Sequence, residues 1–338
     1  MLELDEGRVL QRYEQGVADS DRSKIVALIE DLLDSGTAPL DILIGVIAAA
    51  QRSIGERWQR GEWSVAQEHA ATALAMAATE IVARRVAETP VTRGQIIVTC
   101  AEREWHWLPA AIIGCALRAD GWRTIQLGPA TSPLRFSQYI QDFGPDAVAV
   151  SCSVLGALPT TRRFIEASTS AGVPAVVGGA AFGHDGVRAE ALGATAWAPD
   201  ARSAVEAAAG LPVVVSAAEP LPGVAVGELA AMESDHSRLV DQVRRQWVVT
   251  APEADAAPVA VRAVARDTVP HTLHAVSAAL LTGDPRTVSE TAAWLTALLD
   301  SRGVDAGSAV EDLRRVLLAT LIDYPLSVDL VRRHFSVN

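Results

Sequence analysis

The stretch QIIVTCAEREWHWLPAA, residues 95–111, decides how the rest of this chain is read. Its first six residues are apolar and partly β-branched, the mark of a short buried strand. The residues that follow leave that strand as a loop. Trp105 and Trp107 flank His106, and Glu104 stands two positions before it. Two tryptophans at the end of a strand predict something large and flat lying over them.

Working outward, residues 93–210 alternate strand-like and helix-like runs. QIIVTC is followed by AAIIGCALRADG, TIQLG, SPLRFSQYIQDFG, DAVAVSCS, LPTTRRFIEASTSAG, PAVVGG, ATAWA and ARSAVEAAAG. This alternation predicts an α/β fold with a doubly wound parallel sheet, flavodoxin-like in layout. Ligands of such sheets sit beyond the carboxyl ends of the strands. The loops after Cys100, Val150 and Val177 all fall on that edge.

Residues 1–90 carry apolar positions at three- and four-residue spacing and predict a four-helix bundle. Ser64 and Gln67 form an S-x-x-Q capping box ahead of one helix. Residues 211–230 are rich in Pro and Ala and read as a linker. Residues 231–338 read as a mostly helical domain, in which Asp284 and Pro285 form an N-cap and first-turn pair. VVTAPEADAAPVAVRAVARDTV, residues 248–269, has no assignment and reads as a long connection. His271 and His274 then flank the start of the next helix.

Composition narrows the function. The chain has 338 residues, 49% of them apolar, with 41 acidic against 29 basic and a formal charge of -12. No basic stripe compensates, which excludes a broad nucleic-acid surface. No uncharged apolar run approaches the roughly 20 residues that span a bilayer. The start, MLELDEGRVLQRYEQG, is acidic and amphipathic, unlike a signal peptide. Cys100, Cys115 and Cys152 match no zinc spacing, and their odd number argues against a disulfide framework. The expectation is a reduced, cytoplasmic protein with no membrane partner and no direct nucleic-acid partner.

Glu104-x-His106, then Ser153-Val154-Leu155, then Gly178-Gly179 form an ordered set on one sheet edge. The set resembles the cobalamin-binding family, whose pattern is D/E-x-H-x-x-G, S-x-L and G-G. The resemblance implies that His106 is the lower ligand of cobalt, with Glu104 accepting a hydrogen bond from its other ring nitrogen. It implies that Ser153 bonds the displaced nucleotide tail, with Leu155 beside it, and that Gly178 and Gly179 let the tail approach the backbone. Gly128, closing TIQLG, joins the cofactor-binding set. Pro109 stands where the family has glycine; proline suits a first helical turn.

Trp58, followed after nine residues by Glu68 and His69, resembles the helical cap of adenosylcobalamin-binding light sensors. The resemblance implies a tryptophan face for adenine and a carboxylate for the ribose hydroxyls. Trp58, Trp63, Trp105 and Trp107 would form a shared aromatic chamber. Gln59 stands where some of those sensors carry a cobalt-capturing histidine. The function implied is a light sensor in which cleavage of the cobalt–carbon bond changes bundle conformation or assembly, as a homo-oligomer or through a signalling partner. The domain arrangement is similar to the photocobilins, which add a bilin. With no cysteine beyond Cys152, a bilin such as biliverdin would be held non-covalently, with Arg238, Trp247, His271 and His274 as its contacts. Two other readings stay open: a corrinoid methyl-carrier of a methyltransferase system, and a light-independent cobalamin-sensing regulator. Residues 231–338 are too few for the substrate barrel of a mutase-type enzyme, about 250 residues.

Overall fold

The computed structural model describes residues 6–221, 223–249 and 258–336. Residues 250–257, part of the long connection, lie outside the described residues. Contacts divide the chain into two units, one of Met1–Trp58 with Glu62–Ala218, the other of Gln59–Gly61 with Glu219–Asn338.

The first unit opens with α1 (Glu6–Ala18) and α2 (Arg22–Asp34). Asp21 caps α2 by accepting the Lys24 N–H. Then α3 (Pro39–Asp41), a π-helical stretch Ile42–Ala48 and α4 (Ala49–Gln59) run on as one continuous rod. The π-helical ring closes i→i+5 rather than i→i+4, so it shifts the phase of everything after it. α5 (Val65–Val86) begins at the capping box: the Gln67 N–H donates to Ser64 Oγ at 3.3 Å and the Ser64 N–H to Gln67 Oε1 at 2.9 Å. Tyr13, Ile29, Ile42, Leu43, Ile47, Ala75 and Val82 fill the bundle core. The same core takes in Leu108, Ile112 and Cys115 of α6 (Trp107–Ala119). Bundle and sheet layer thus share apolar contents.

The sheet is made of β1 (Gln95–Cys100), β2 (Arg123–Gln126), β3 (Ala147–Ser151), β4 (Ala175–Gly178) and β5 (Ala196–Ala198). All pairs are parallel, in the order β2-β1-β3-β4-β5. Helices α6, α7 (Pro133–Phe143), α8 (Leu158–Ser170) and α9 (Val187–Ala191) make the four crossovers, and α10 (Ala201–Ala209) follows β5. Covered on both faces, β3 is buried throughout, which is why it reads as the unbroken run AVAVS. The winding reverses between β1 and β3, so the loops leaving these strands diverge and open a crevice. Pairing aligns Cys100, Ser151, Gly178 and Ala198 across the carboxyl edge.

The second unit holds α11 (Gly223–Gln246), α12 (Pro258–Thr282), α13 (Arg286–Asp300), α14 (Ala306–Thr320) and α15 (Pro325–His334). Two expectations are corrected here. The segment read as a linker over 211–230 is already helical from Gly223, and Glu228 in it caps α15 by accepting the Leu326 and Ser327 N–H groups at 3.0 and 2.6 Å. The connection read over 248–269 is helical from Pro258, and α12 passes through Pro270. His271 and His274 therefore lie mid-helix rather than at a helix start. Pro270 has no N–H for the carbonyl of Arg266, four residues back. The Arg244 Nε–H of α11 takes that carbonyl instead, at 3.1 Å. Among the described residues no helix is long and apolar enough to cross a membrane.

Candidate functional site

The loop after β1 is built around one carboxylate. Arg103 turns the chain with φ 73°, and the Glu104 N–H closes the turn on the Ala101 carbonyl at 3.0 Å. The Glu104 side chain is 0% exposed. Its Oε1 accepts the His106 N–H at 2.8 Å and lies 2.7 Å from His106 Nδ1. Its Oε2 accepts the N–H groups of Ser153 and Val154 at 2.5 and 3.0 Å. One side chain thus ties the loops after β1 and β3 together across the crevice. Burial pushes the Glu104 pKa up, but the hydrogen bonds from the His106 ring, the His106 backbone and the Ser153 backbone outweigh it. The net position is below the ordinary carboxylate value. A carboxylate accepts only, so Nδ1 carries the proton and the imidazole lone pair is on Nε2. The hydrogen bond to Glu104 raises the His106 pKa, burial opposes it, and the charges of Glu104 and Glu68 add to the rise. The ring itself is 62% exposed.

Beside this loop a cavity of about 310 Å³ lies between the bundle and the sheet edge. Ile44, Ala48, Gln51 and Arg52 form its bundle wall, Leu108, Pro109 and Ile112 of α6 a second wall, and Ser151, Ser153 and Gly179 its floor. Pro109 falls in the first turn of α6, where its missing N–H has no helical partner to lose. Ser151 Oγ is buried and has no hydrogen-bond partner among the described residues. A buried hydroxyl left so costs about 1–3 kcal/mol, which a bound acceptor or donor would recover. The two glycines answer first to the protein's own backbone. A Cβ on Gly178 would meet the Ala198 carbonyl oxygen at 2.3 Å, and one on Gly179, at φ +106°, the Cys152 carbonyl oxygen at 2.4 Å. Gly128, at φ +73°, closes β2 with open space around it, and Leu155 begins a short 3₁₀ turn.

The bundle contributes a polar group above. Glu68, half-buried on α5, accepts the Thr72 hydroxyl at 3.0 Å and Gln51 Nε2 at 3.5 Å; Gln51 Nε2 also donates to Thr72 Oγ1 at 2.6 Å. His69 is largely exposed, its Nε2 3.7 Å from Glu68. Trp58 is half-buried on α4 and is followed by Gln59. The expected chamber of four tryptophans is not what surrounds the cavity, whose lining includes none of them. Trp63 packs on the bundle core with Arg57 5.6 Å from its ring, Trp107 packs under β1, and Trp105 is 72% exposed. Burial pushes the Cys100 and Cys115 thiols up to about 12, with smaller contributions from Glu104 and Glu80 respectively, so neither serves as a thiolate. Among the described residues no group of three or more His, Cys, Asp or Glu could hold a metal ion.

Ser151, Gln51, Thr72 and Arg52 were not legible as site residues. Ser151 alone left a signal, a polar residue ending a buried strand two positions before Ser153.

In the second unit, Arg238 pairs with Asp235 at 2.7 Å and donates to Tyr324 Oη at 3.3 Å. Trp247 is buried and donates its Nε1–H to the Ala309 carbonyl at 2.9 Å. His274 stacks on His236 with centroids 4.2 Å apart, and His271 meets Trp294 edge-on at 6.1 Å.

Residues 94–209 match the family described as "B12 binding domain", and residues 9–83 match a second family of that description. A corrinoid protein of Desulfitobacterium hafniense (strain Y51) is 23% identical over 209 residues, covering 59% of this chain and 95% of that protein. Trimethylamine corrinoid protein 2 of Methanosarcina mazei is 21% identical over 205 residues, covering 58% and 93%. The solved monomethylamine corrinoid protein of Methanosarcina barkeri shares the fold, with a TM-score of 0.52 at 18% identity, over 60% of this chain and 98% of that one.

Proposed function

We propose, from the premise that the domain matches and the relatives support a cobalamin-binding family, that the first unit holds cobalamin with His106 as the lower ligand of cobalt. The observation that carries this reading is the buried Glu104, which fixes the imidazole tautomer so that the Nε2 lone pair is free for a metal. The residues fit the group: Ser151 supplies an unpartnered hydroxyl on the floor of a cavity suited to the nucleotide tail. When bound, the cofactor supplies a weak cobalt–carbon bond that a nucleophile or visible light opens. The chain's own residues orient and enclose. Glu104 holds the ring, Ile44 and Ala48 keep water from the tail, and Glu68 stands as an acceptor on the bundle side.

The chain is then a carrier or sensor rather than a catalyst. The relatives' printed names, both corrinoid proteins, favour the corrinoid-carrier reading, in which a methyl group would pass to a methyltransferase partner. The light-sensor reading is favoured by the spacing of Trp58 with Glu68 and His69 on the bundle. It also accounts for a second unit, since the relatives are matched almost end to end and leave no counterpart for it. The four residues proposed to contact a bilin, Arg238, Trp247, His271 and His274, are each already engaged by the protein's own groups, so a bilin would have to displace those contacts.

The test loads the chain in darkness with hydroxo-, methyl- and adenosylcobalamin and records the visible spectrum, then repeats it with His106→Ala. Equal spectra and equal affinity in the two proteins would refute the ligand assignment. Selective binding of the adenosyl form, with a change in spectrum and oligomer size under green light, supports the sensor. Equal or tighter binding of the methyl form without a change in assembly supports the carrier. Uptake of added biliverdin tests the second pigment.

A further inference from the structure

We propose that Arg52, supplied by the bundle rather than the sheet, is a specificity-determining residue for the phosphodiester of the ligand's nucleotide tail. This rests on the cobalamin reading above. Among the described residues that line the cavity two are charged, Arg52 and Asp200. Asp200 is committed to capping α10, accepting the Ser203 N–H at 2.8 Å. The Arg52 side chain makes no hydrogen bond or ion pair with any other described residue. Its neighbours on the wall, Ile44 and Ala48, belong to the π-helical stretch. π-helical turns are rare, and they are frequent at functional sites. Here the altered phase fixes that Gln51 and Arg52 are the residues of α4 that line the cavity.

The chemistry names the ligand group. The edge of a cobalamin corrin carries neutral amides, and the phosphodiester is the tail's one permanent anion. A guanidinium fork matches phosphate oxygens in a bidentate way and stays charged at every relevant pH. Ser151 on the floor and Arg52 on the wall therefore divide the tail between them, a neutral hydroxyl for the base end and a cation for the anion. The bundle, read until now as a cover for the upper face, also discriminates complete cobalamins from truncated corrinoids.

The test compares hydroxocobalamin with cobinamide, the corrinoid that lacks phosphodiester, ribose and base. Affinities are measured by difference absorbance for the full chain, Arg52→Gln and Arg52→Lys. Arg52→Gln is expected to weaken hydroxocobalamin by roughly ten- to a hundredfold, the range for losing a hydrogen bond to a charged group. Cobinamide affinity is expected to stay within about twofold, since a change well under a kilocalorie is all that remains. Arg52→Lys is expected to retain most of the preference, and added salt to erode it in the wild type but not in Arg52→Gln. Equal losses for both corrinoids, or no loss for hydroxocobalamin, would overturn the assignment. If the wild type binds neither corrinoid, it is the cobalamin reading itself that fails.

Discussion

Glu104 does at one position what most sites divide among several. It accepts two bonds from His106 and two from the backbone after β3. Glu104→Ala is expected to strand the Ser153 and Val154 N–H groups and lower stability by about 2–3 kcal/mol, read from urea unfolding of the cofactor-free chain. Glu104→Gln is expected to unfold less readily than Glu104→Ala and still to weaken cobalamin binding by about 10–100-fold, as loss of an outer-shell carboxylate does. Gly179→Ala is expected to destabilise the chain even without cofactor, because the added methyl meets the Cys152 carbonyl. This residue scale is where the sequence was most and least readable. Glu104-x-His106 announced itself, since a charge and an imidazole after a buried strand have little structural use. Ser151 did not, because a serine at the end of AVAVS looks like the close of a strand. Its lack of a partner is a property of the packed neighbours alone.

At the scale of elements, α12 shows how one long-range contact overrides a local signal. The chain was read as a connection up to Val269, and Pro270 lacks the N–H that a continuing helix needs. What keeps the helix intact is Arg244, whose guanidinium comes from α11 and satisfies the carbonyl that Pro270 orphans. No window of local sequence contains both. Arg244→Ala is expected to cost about 1–2 kcal/mol of stability in the second unit. In a Pro270→Ala background, whose own N–H can reach Arg266, the same substitution is expected to cost markedly less. A double-mutant cycle by thermal unfolding measures the difference. Equal costs in both backgrounds would mean that the contact is incidental. The bundle helices were readable for the opposite reason: their period, and the Ser64–Gln67 box, are local. The π-helical stretch was not, and with it went the phase that sets Gln51 and Arg52 on the cavity wall.

For the whole molecule, every residue assigned to the corrinoid lies in the first unit. A fragment of residues 1–218 is expected to bind hydroxocobalamin with an affinity within about threefold of the full chain, a difference under 1 kcal/mol. Titration of both by absorbance checks this. A larger loss would show that the second unit takes part in holding the ligand. The apolar core that runs from Ile47 and Ile29 to Leu108 and Ile112 bears on what a bound ligand could move in this unit. A flap must part from what lies beneath it, and parting here would wet side chains that both layers own in common. A ligand that enters or leaves between them is therefore expected to change how tightly those side chains interlock, with the layers still joined.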